Sequence, residues 1–352
     1  MTSPTPRSLG YRMPAEWESQ TSVWLSWPTN PVTWPGDLLE SVRQTYIEVI
    51  AALAPDQTVS LLVDDSGTAE DVAARLRSHG VDASRVRVLE IPTVDTWIRD
   101  YGPTFVTRAS DRSVAMIDWT FNAWGDKYDD LKADDGVPLA MNRHLALDRF
   151  DAAFVLEGGS IEVDGCGTVL TTEQCLLNPN RNPDLDRSAI EIRLGEYLNV
   201  TQVLWLGEGI VGDDTDGHVD DVARFVAPGV VLAAWEEDPS DDNHPILQDN
   251  LDRLQRFRDA RGRPLEVRTL PMPPPVVGPD GRLPASYANF LIANRTVIVP
   301  VFGQSDKNRA ALDVIQSAFP RHHVVGIEST AMVHGLGAVH CCSQQQPQPS
   351  GR

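Results

Sequence analysis

One unit recurs along this chain and limits its fold more than any other feature. Two β-rich runs joined across a polar or glycine turn appear at 100–119 (DYGPTFVTRASDRSVAMIDW), 158–172 (GGSIEVDGCGTVLTT), 218–235 (HVDDVARFVAPGVVLAAW) and 287–301 (YANFLIANRTVIVPV). Each has the composition of a β-hairpin, and recurrence at such a period marks a repeat architecture. Helical apolar spacing follows or intervenes at 38–53, 69–80, 186–200, 246–262 and 307–320. That gives five helices for four complete hairpins. A fifth hairpin then falls to the two ends of the chain, with 337–344 (GAVHCCSQ) pairing beside 21–27 (TSVWLSW). The reading predicts a closed α/β assembly of five units. The Pro/Gly-rich stretch at 271–284 sits inside one unit as a loop, so no linker divides the chain. One domain over 10–346 is expected, with disordered ends at 1–9 and 347–352.

In a closed ring the same position of every unit points to the centre. Asp100 precedes the first hairpin, Glu157 the second; His218 and Asp220 open the third, Asn289 the fourth, and Cys341 lies in the fifth. Taken singly, each has a bland reading: an isolated Asp is usually solvated, a lone His is usually a satisfied surface or core residue, and a Cys pair is usually buried apolar filling. Together, carboxylates, an imidazole and a thiol at convergent ends describe a reaction site. His340 adjoins Cys341, but neighbours on a strand point to opposite faces, so a remote base is needed. His218 supplies it, and Asp220, two residues on, shares its face. Gly335 and Gly337 let backbone approach a ligand closely.

A net charge of −20 over 352 residues repels nucleic acid and acidic membrane surfaces and suits a small cationic client. No stretch has the apolar length of a signal peptide or membrane span, which reads as a cytoplasmic protein. Four cysteines in so long a chain, without a CxxC pair, read as reduced thiols rather than a disulfide frame or zinc knuckle. DDTDG imitates part of a calcium loop, but with Gly217 at its sixth position the first and twelfth fall on Gly212 and Ala223, which carry no ligand. GLGAVH has His340 where a dinucleotide fingerprint needs its last glycine, and there is no P-loop or GxSxG. The acidic run at 236–245 reads as solvated. No metal and no cofactor are expected.

Several long motifs now carry a resemblance: MPAEWE (13–18), WIRDYGPTF (97–105), FNAWGDKYDD (121–130), EGGSIEVDGCGTVLTTEQCLLNPNRNP (157–183), DDTDGHVD (213–220), ANFLIANRTVIVPVFG (288–303) and GAVHCCSQQQP (337–347). The chain resembles the agmatine deiminases of the porphyromonad-type peptidylarginine deiminase family, within the pentein superfamily, nearly end to end. The resemblance implies a five-bladed α/β propeller with its site on the axis, and a homo-oligomer. It also implies roles: Cys341 as nucleophile, His218 as general acid and base, Glu157 as the carboxylate accompanying the histidine, and Asp100 with Asp220 as the grip on a guanidinium. Segment 330–338 departs from the family pattern. An Arg-Glu pair and a Gly-Gly-Gly-Asn run are usual there, where this chain has Thr330-Ala331 and Gly335-Leu336-Gly337-Ala338.

The expected chemistry is hydrolysis of agmatine to N-carbamoylputrescine and ammonia through a covalent Cys341 intermediate. Trp97, Asp214, Asn289 and Gly337 complete the expected substrate contacts. Trp97 either stacks on the substrate or is a core tryptophan, and Asp213, Asp214 and Asp216 favour a dication over free arginine. The nearest alternative keeps the fold and changes the substrate: a deiminase or amidinotransferase for arginine or another guanidino compound, suggested by segment 330–338. A silent guanidine-binding protein would not need both Cys341 and His218, and a metal hydrolase would lose activity on chelation.

Overall fold

The computed structural model describes residues 4–349. Four sheets repeat one plan, an antiparallel pair followed by a third strand parallel to the second: Thr104–Arg108, Ser113–Thr120 and Asp148–Val155; Glu162–Val163, Thr168–Thr172 and Gln202–Leu206; Ala223–Ala227, Val230–Trp235 and Glu266–Pro271; Leu291–Ile292, Thr296–Val301 and His323–Glu328. The chain ends build a fifth on the same plan. Ser343–Pro347 runs antiparallel to Gln20–Ser26, with Trp24 opposite Gln344, and Thr58–Val63 adds in parallel.

Parallel neighbours need a long crossover, and a helix fills each one. These helices are Leu38–Leu53, Val137–Leu145, Arg187–Leu198, Asn243–Arg256 and Asp306–Ala318. Leu38–Leu53 shows why they form: Val42, Tyr46, Val49, Ile50 and Leu53 fall on one buried stripe at three-to-four spacing. Asp186 caps its helix by accepting from the Ala189 N–H, and Ser305 does so from Lys307. The sequence promised five helices, but not these five. The helix read at 69–80 is Ser66–Ser78, and it leads to an extra strand, Val86–Glu90, on the edge of the N-terminal sheet. The crossover helix Val137–Leu145 went unread because it has only 9 residues and opens on Gly136 and Pro138, which read as a turn.

Other expectations change in detail. The stretch 271–284, read as a loop, holds a small hairpin pairing Val277 with Arg282. Order reaches into both ends read as disordered: Arg7–Leu9 form a 3-10 turn, Pro347 pairs with Gln20, and the Gln348 N–H donates to the Ser19 carbonyl at 2.8 Å. Residues 1–3 and 350–352 lie outside the described residues. Among the described residues no helix is long and apolar enough to cross a membrane.

The repeat register places the chemistry, but in turns rather than on strands. Asp100 lies in the one-turn helix Ile98–Tyr101 before Thr104, and Glu157 precedes the 3-10 turn Gly158–Ser160. His218 is the N-cap of the 3-10 turn Val219–Asp221, which carries Asp220. Cys341 sits in a turn just before the strand that begins at Ser343, not in that strand. Face alternation along a strand therefore governs neither the His218–Asp220 pair nor the His340–Cys341 pair. The walls around this turn are core: Trp24, Trp34, Trp97, Cys341 and Cys342 belong to one buried apolar cluster.

Candidate active site

Gly159 lies where the titratable groups meet. A methyl group there would stand 2.5 Å from His218 Nδ1, 2.9 Å from Asp100 Oδ1 and 3.2 Å from Asp220 Oδ2, so only glycine fits. The Gly159 N–H donates to Asp100 Oδ1 at 3.0 Å, and the Trp124 indole N–H donates to Asp100 Oδ2 at 2.9 Å. His218 Nδ1 is 3.7 Å from Asp100 Oδ1. On the other side, Asp220 Oδ2 is 3.8 Å from the Cys341 sulfur. Asp100, Glu157, His218 and Asp220 are all essentially buried, and Cys341 is 6% exposed.

A cavity of about 300 Å³ opens onto Asp100 and Cys341. Trp97, Trp124 and Leu336 line it, as do the more exposed Val32, Asp130 and Asp214. Trp97 packs on Trp34 with ring centroids 5.5 Å apart, so it is at once core and cavity wall. Trp124 stands in a run of left-handed backbone: Ala123 at φ 54°, Trp124 at φ 55° and Asp126 at φ 63°. Such strain clusters at functional sites, and here it aims the indole at Asp100.

The other expected substrate residues do different work. Asn289 does not line the cavity. Its amide donates to the Cys341 sulfur at 3.0 Å and to Asp221 Oδ1 at 3.1 Å, while its oxygen accepts from the His340 N–H at 3.0 Å. It holds the nucleophile turn. Gly337 makes room for Trp97 rather than for a ligand, because a methyl there would overlap the indole. Asp213 is spent on backbone, accepting from Thr215, Gly217 and His218 N–H groups at 2.7, 2.9 and 3.0 Å. Asp216 pairs with Arg181 Nη1 at 2.5 Å. Of the three carboxylates expected at the mouth only Asp214 lines the cavity, and it already accepts from the Tyr128 hydroxyl at 2.6 Å.

Glu157 does not hydrogen-bond His218. Its Oε1 accepts from Arg181 Nε at 2.7 Å, and its Oε2 has no partner among the described residues. The ligand atoms of Glu157, Cys175 and His218 nonetheless fall within 4.8 Å of one another, the spacing of a metal trio. Arg181 already neutralises that carboxylate, as Arg224 does for the trio Glu16, Glu162 and His340. Neither arrangement calls for a cation.

Burial, then the charges of Asp220, Asp221 and Asp100, push the Cys341 thiol well up. Burial raises Asp100 to about 6 despite nearby His218, and burial with Asp220 alongside pushes Asp221 well up too. His218 goes the other way from its own burial: Asp100, Cys175 and Glu157 hold its imidazolium well above the ordinary histidine value. Burial opposes the charge of Asp220 too, yet His340, His218 and Arg224 keep its carboxyl below the usual range. The site thus offers ionised carboxylate, imidazolium and a neutral thiol waiting for positive charge.

Residue-by-residue reading missed Gly159, Trp124, Arg181, Glu16 and His340. All five lie inside the long motifs, which were the available signal, and His340 was passed over because a strand was assumed.

Comparison with known proteins finds relatives along the whole length of the chain. Residues 12–347 match the family model for Porphyromonas-type peptidyl-arginine deiminase. An agmatine deiminase of Stutzerimonas stutzeri is 41% identical over 368 residues, covering 98% of each chain. A solved agmatine deiminase of Enterococcus faecalis superposes with a TM-score of 0.90 at 38% identity over 99% of each chain. An agmatine deiminase from C. jejuni with substrate bound superposes with a TM-score of 0.85 at 30% identity over 97% of each chain. On this match of sequence, length and fold, the chain belongs to the Porphyromonas-type peptidyl-arginine deiminase family.

Proposed function

We propose that this protein hydrolyses agmatine to N-carbamoylputrescine and ammonia, with Cys341 as nucleophile, in a single domain over 10–346 whose five sheets close into a propeller around the site. The observation that carries the reading is the convergence of Asp100, His218 and Asp220 around Gly159, with the Cys341 sulfur 3.8 Å from Asp220 and, like Asp100, lining the cavity.

A planar guanidinium fits between Asp100 and Asp220, whose carboxylates fix the central carbon over the sulfur. The cation offsets the carboxylate field around Cys341, and the thiol gives up its proton to solvent as substrate binds. Sulfur then bonds to the central carbon, and a C–N bond breaks as His218 gives its proton to the departing nitrogen, which leaves as ammonia. An amidino thioether remains on Cys341. His218, now neutral, takes a proton from water as the oxygen attacks the same carbon. The C–S bond breaks as the hydroxyl proton of the adduct passes to the departing sulfur, releasing the ureido product and the free thiol. Glu157, anchored by Arg181, stabilises the imidazolium through space. Trp97 and Trp124 wall the aliphatic chain, and Asp214 faces its distal ammonium.

A second reading, another guanidino substrate or an amine in place of water, draws on Leu336. This residue of segment 330–338 is held at φ 71° and projects into the cavity wall. Ammonia release is measured from agmatine and from arginine, with EDTA present, by wild type and Cys341→Ala. Agmatine turnover lost in the variant supports the main reading. Turnover of arginine alone, or turnover abolished by EDTA, overturns it.

A further inference from the structure

We propose that His340 is a positioning residue that clamps Asp220 in its ionised, guanidinium-binding pose and ties it to a buried charge chain running back to the N-terminal segment.

His340 is 1% exposed, and its two ring nitrogens face carboxylates. Nδ1 lies 2.6 Å from Asp220 Oδ2 and Nε2 lies 2.9 Å from Glu16 Oε2. An imidazole satisfies two carboxylates at once only by donating from both nitrogens. The same Glu16 oxygen accepts from Arg224 Nη2 at 2.6 Å, and Arg224 Nε donates to Glu162 at 2.9 Å. The chain Asp220, His340, Glu16, Arg224, Glu162 thus alternates in sign through the interior. Its effect on Asp220 is specific. Oδ2 is taken by His340, while Oδ1 is buried without a partner among the described residues. That leaves one carboxylate oxygen free for a substrate N–H, at a fixed angle. The groups facing Asp220 are His340, His218, Arg224 and Arg99 on the positive side, and Asp100, Asp221 and Cys341 on the other. Remove His340, and Asp220 loses the charge-assisted hydrogen bond at Oδ2 that favours its ionised form, so the buried carboxyl holds its proton more tightly.

The role rests on the proposed reaction, and the test separates the two. His340→Phe, His340→Asn and wild type are compared in kcat and KM for agmatine across pH, in melting temperature, and in the pH dependence of Cys341 alkylation by iodoacetamide, read on the Cys341 peptide by mass spectrometry. Asn restores a donor near the Nδ1 position without the charge. His340→Phe is expected to lose about 100-fold or more in kcat/KM, chiefly through KM, and to move the acidic limb upward by about one pH unit, the scale of losing a buried charge-assisted hydrogen bond. His340→Asn is expected to recover about 10-fold of that loss. Alkylation needs no substrate: with the His340 donor gone the charge of Asp220, still ionised where the thiol titrates, is less offset, and the Cys341 profile moves to higher pH in His340→Phe. If His340→Phe does not fold, His340→Asn decides, with the same upward shift of the acidic limb expected in smaller measure. Folded variants whose acidic limb and alkylation profile match wild type overturn the proposal. Wild type inactive on agmatine with a shifted alkylation profile in His340→Phe would sink the proposed function and leave the clamp standing.

Discussion

Two clusters of buried polar groups meet near Asp220, one around Arg224 and one around Gly159. Around Arg224 every donor group finds an acceptor: Glu162, Glu16 and the carbonyls of Ala288 and Phe290. Around Gly159, both ring nitrogens of His218, Oε2 of Glu157 and Oδ1 of Asp220 have no hydrogen-bond partner among the described residues. A satisfied buried network specifies the fold, while an unsatisfied one costs stability and stores binding capacity. The difference separates a cluster closed on itself from one that keeps hydrogen-bonding capacity.

The sharpest way to break this comparison is His218→Asn. Activity on agmatine should fall by about 10²–10⁴-fold, the usual worth of a general acid–base group, while thermal stability holds. A melting temperature that collapses would place His218 in the scaffold instead.

Arg224→Met is the reciprocal change. It strands Glu16 and Glu162 in the interior and should cost about 3–5 kcal/mol, as breaking a buried ion pair does. Chemical denaturation measures it, and a loss under 1 kcal/mol, roughly the scale of an exposed pair, would contradict the assignment.

Asp100→Asn should change stability less than Arg224→Met and in the opposite sense. Burial lifts the folded Asp100 carboxyl from 3.8 to about 6, so the folded state binds that proton more tightly than the unfolded chain. Folding is therefore favoured below 3.8, and that advantage is lost as pH rises through about 6. Replacing the carboxylate should raise the melting temperature by roughly 2–4 °C at pH 8 and leave it unchanged at pH 4, while abolishing turnover. A loss of stability at pH 8 would refute the strain at this position.

The same contrast explains what could be read from the residues alone. Hairpins announce themselves through β-branched runs and glycine turns, so all five units and the register of Asp100, Glu157, His218, Asn289 and Cys341 were legible. Long-range ion pairs do not announce themselves. His340 meets Glu16 from the other end of the chain, and Arg224 meets Glu162 across two sheets. Gly159 reads as one of many glycines until three side chains crowd its α-carbon. The turn around Cys341 was taken for strand because its apolar residues are buried on all sides, which leaves no alternation to contradict either reading.

The central claim is that Cys341 carries the carbon of a guanidinium held between Asp100 and Asp220. Rapid acid quench of enzyme with agmatine, followed by mass spectrometry of the Cys341 peptide, tests it most directly. The account predicts an adduct of agmatine less one ammonia on Cys341 that appears within the first turnover and is absent in Cys341→Ala. Steady ammonia release from agmatine by Cys341→Ala, or an adduct on Cys175 or Cys342 instead, would contradict it.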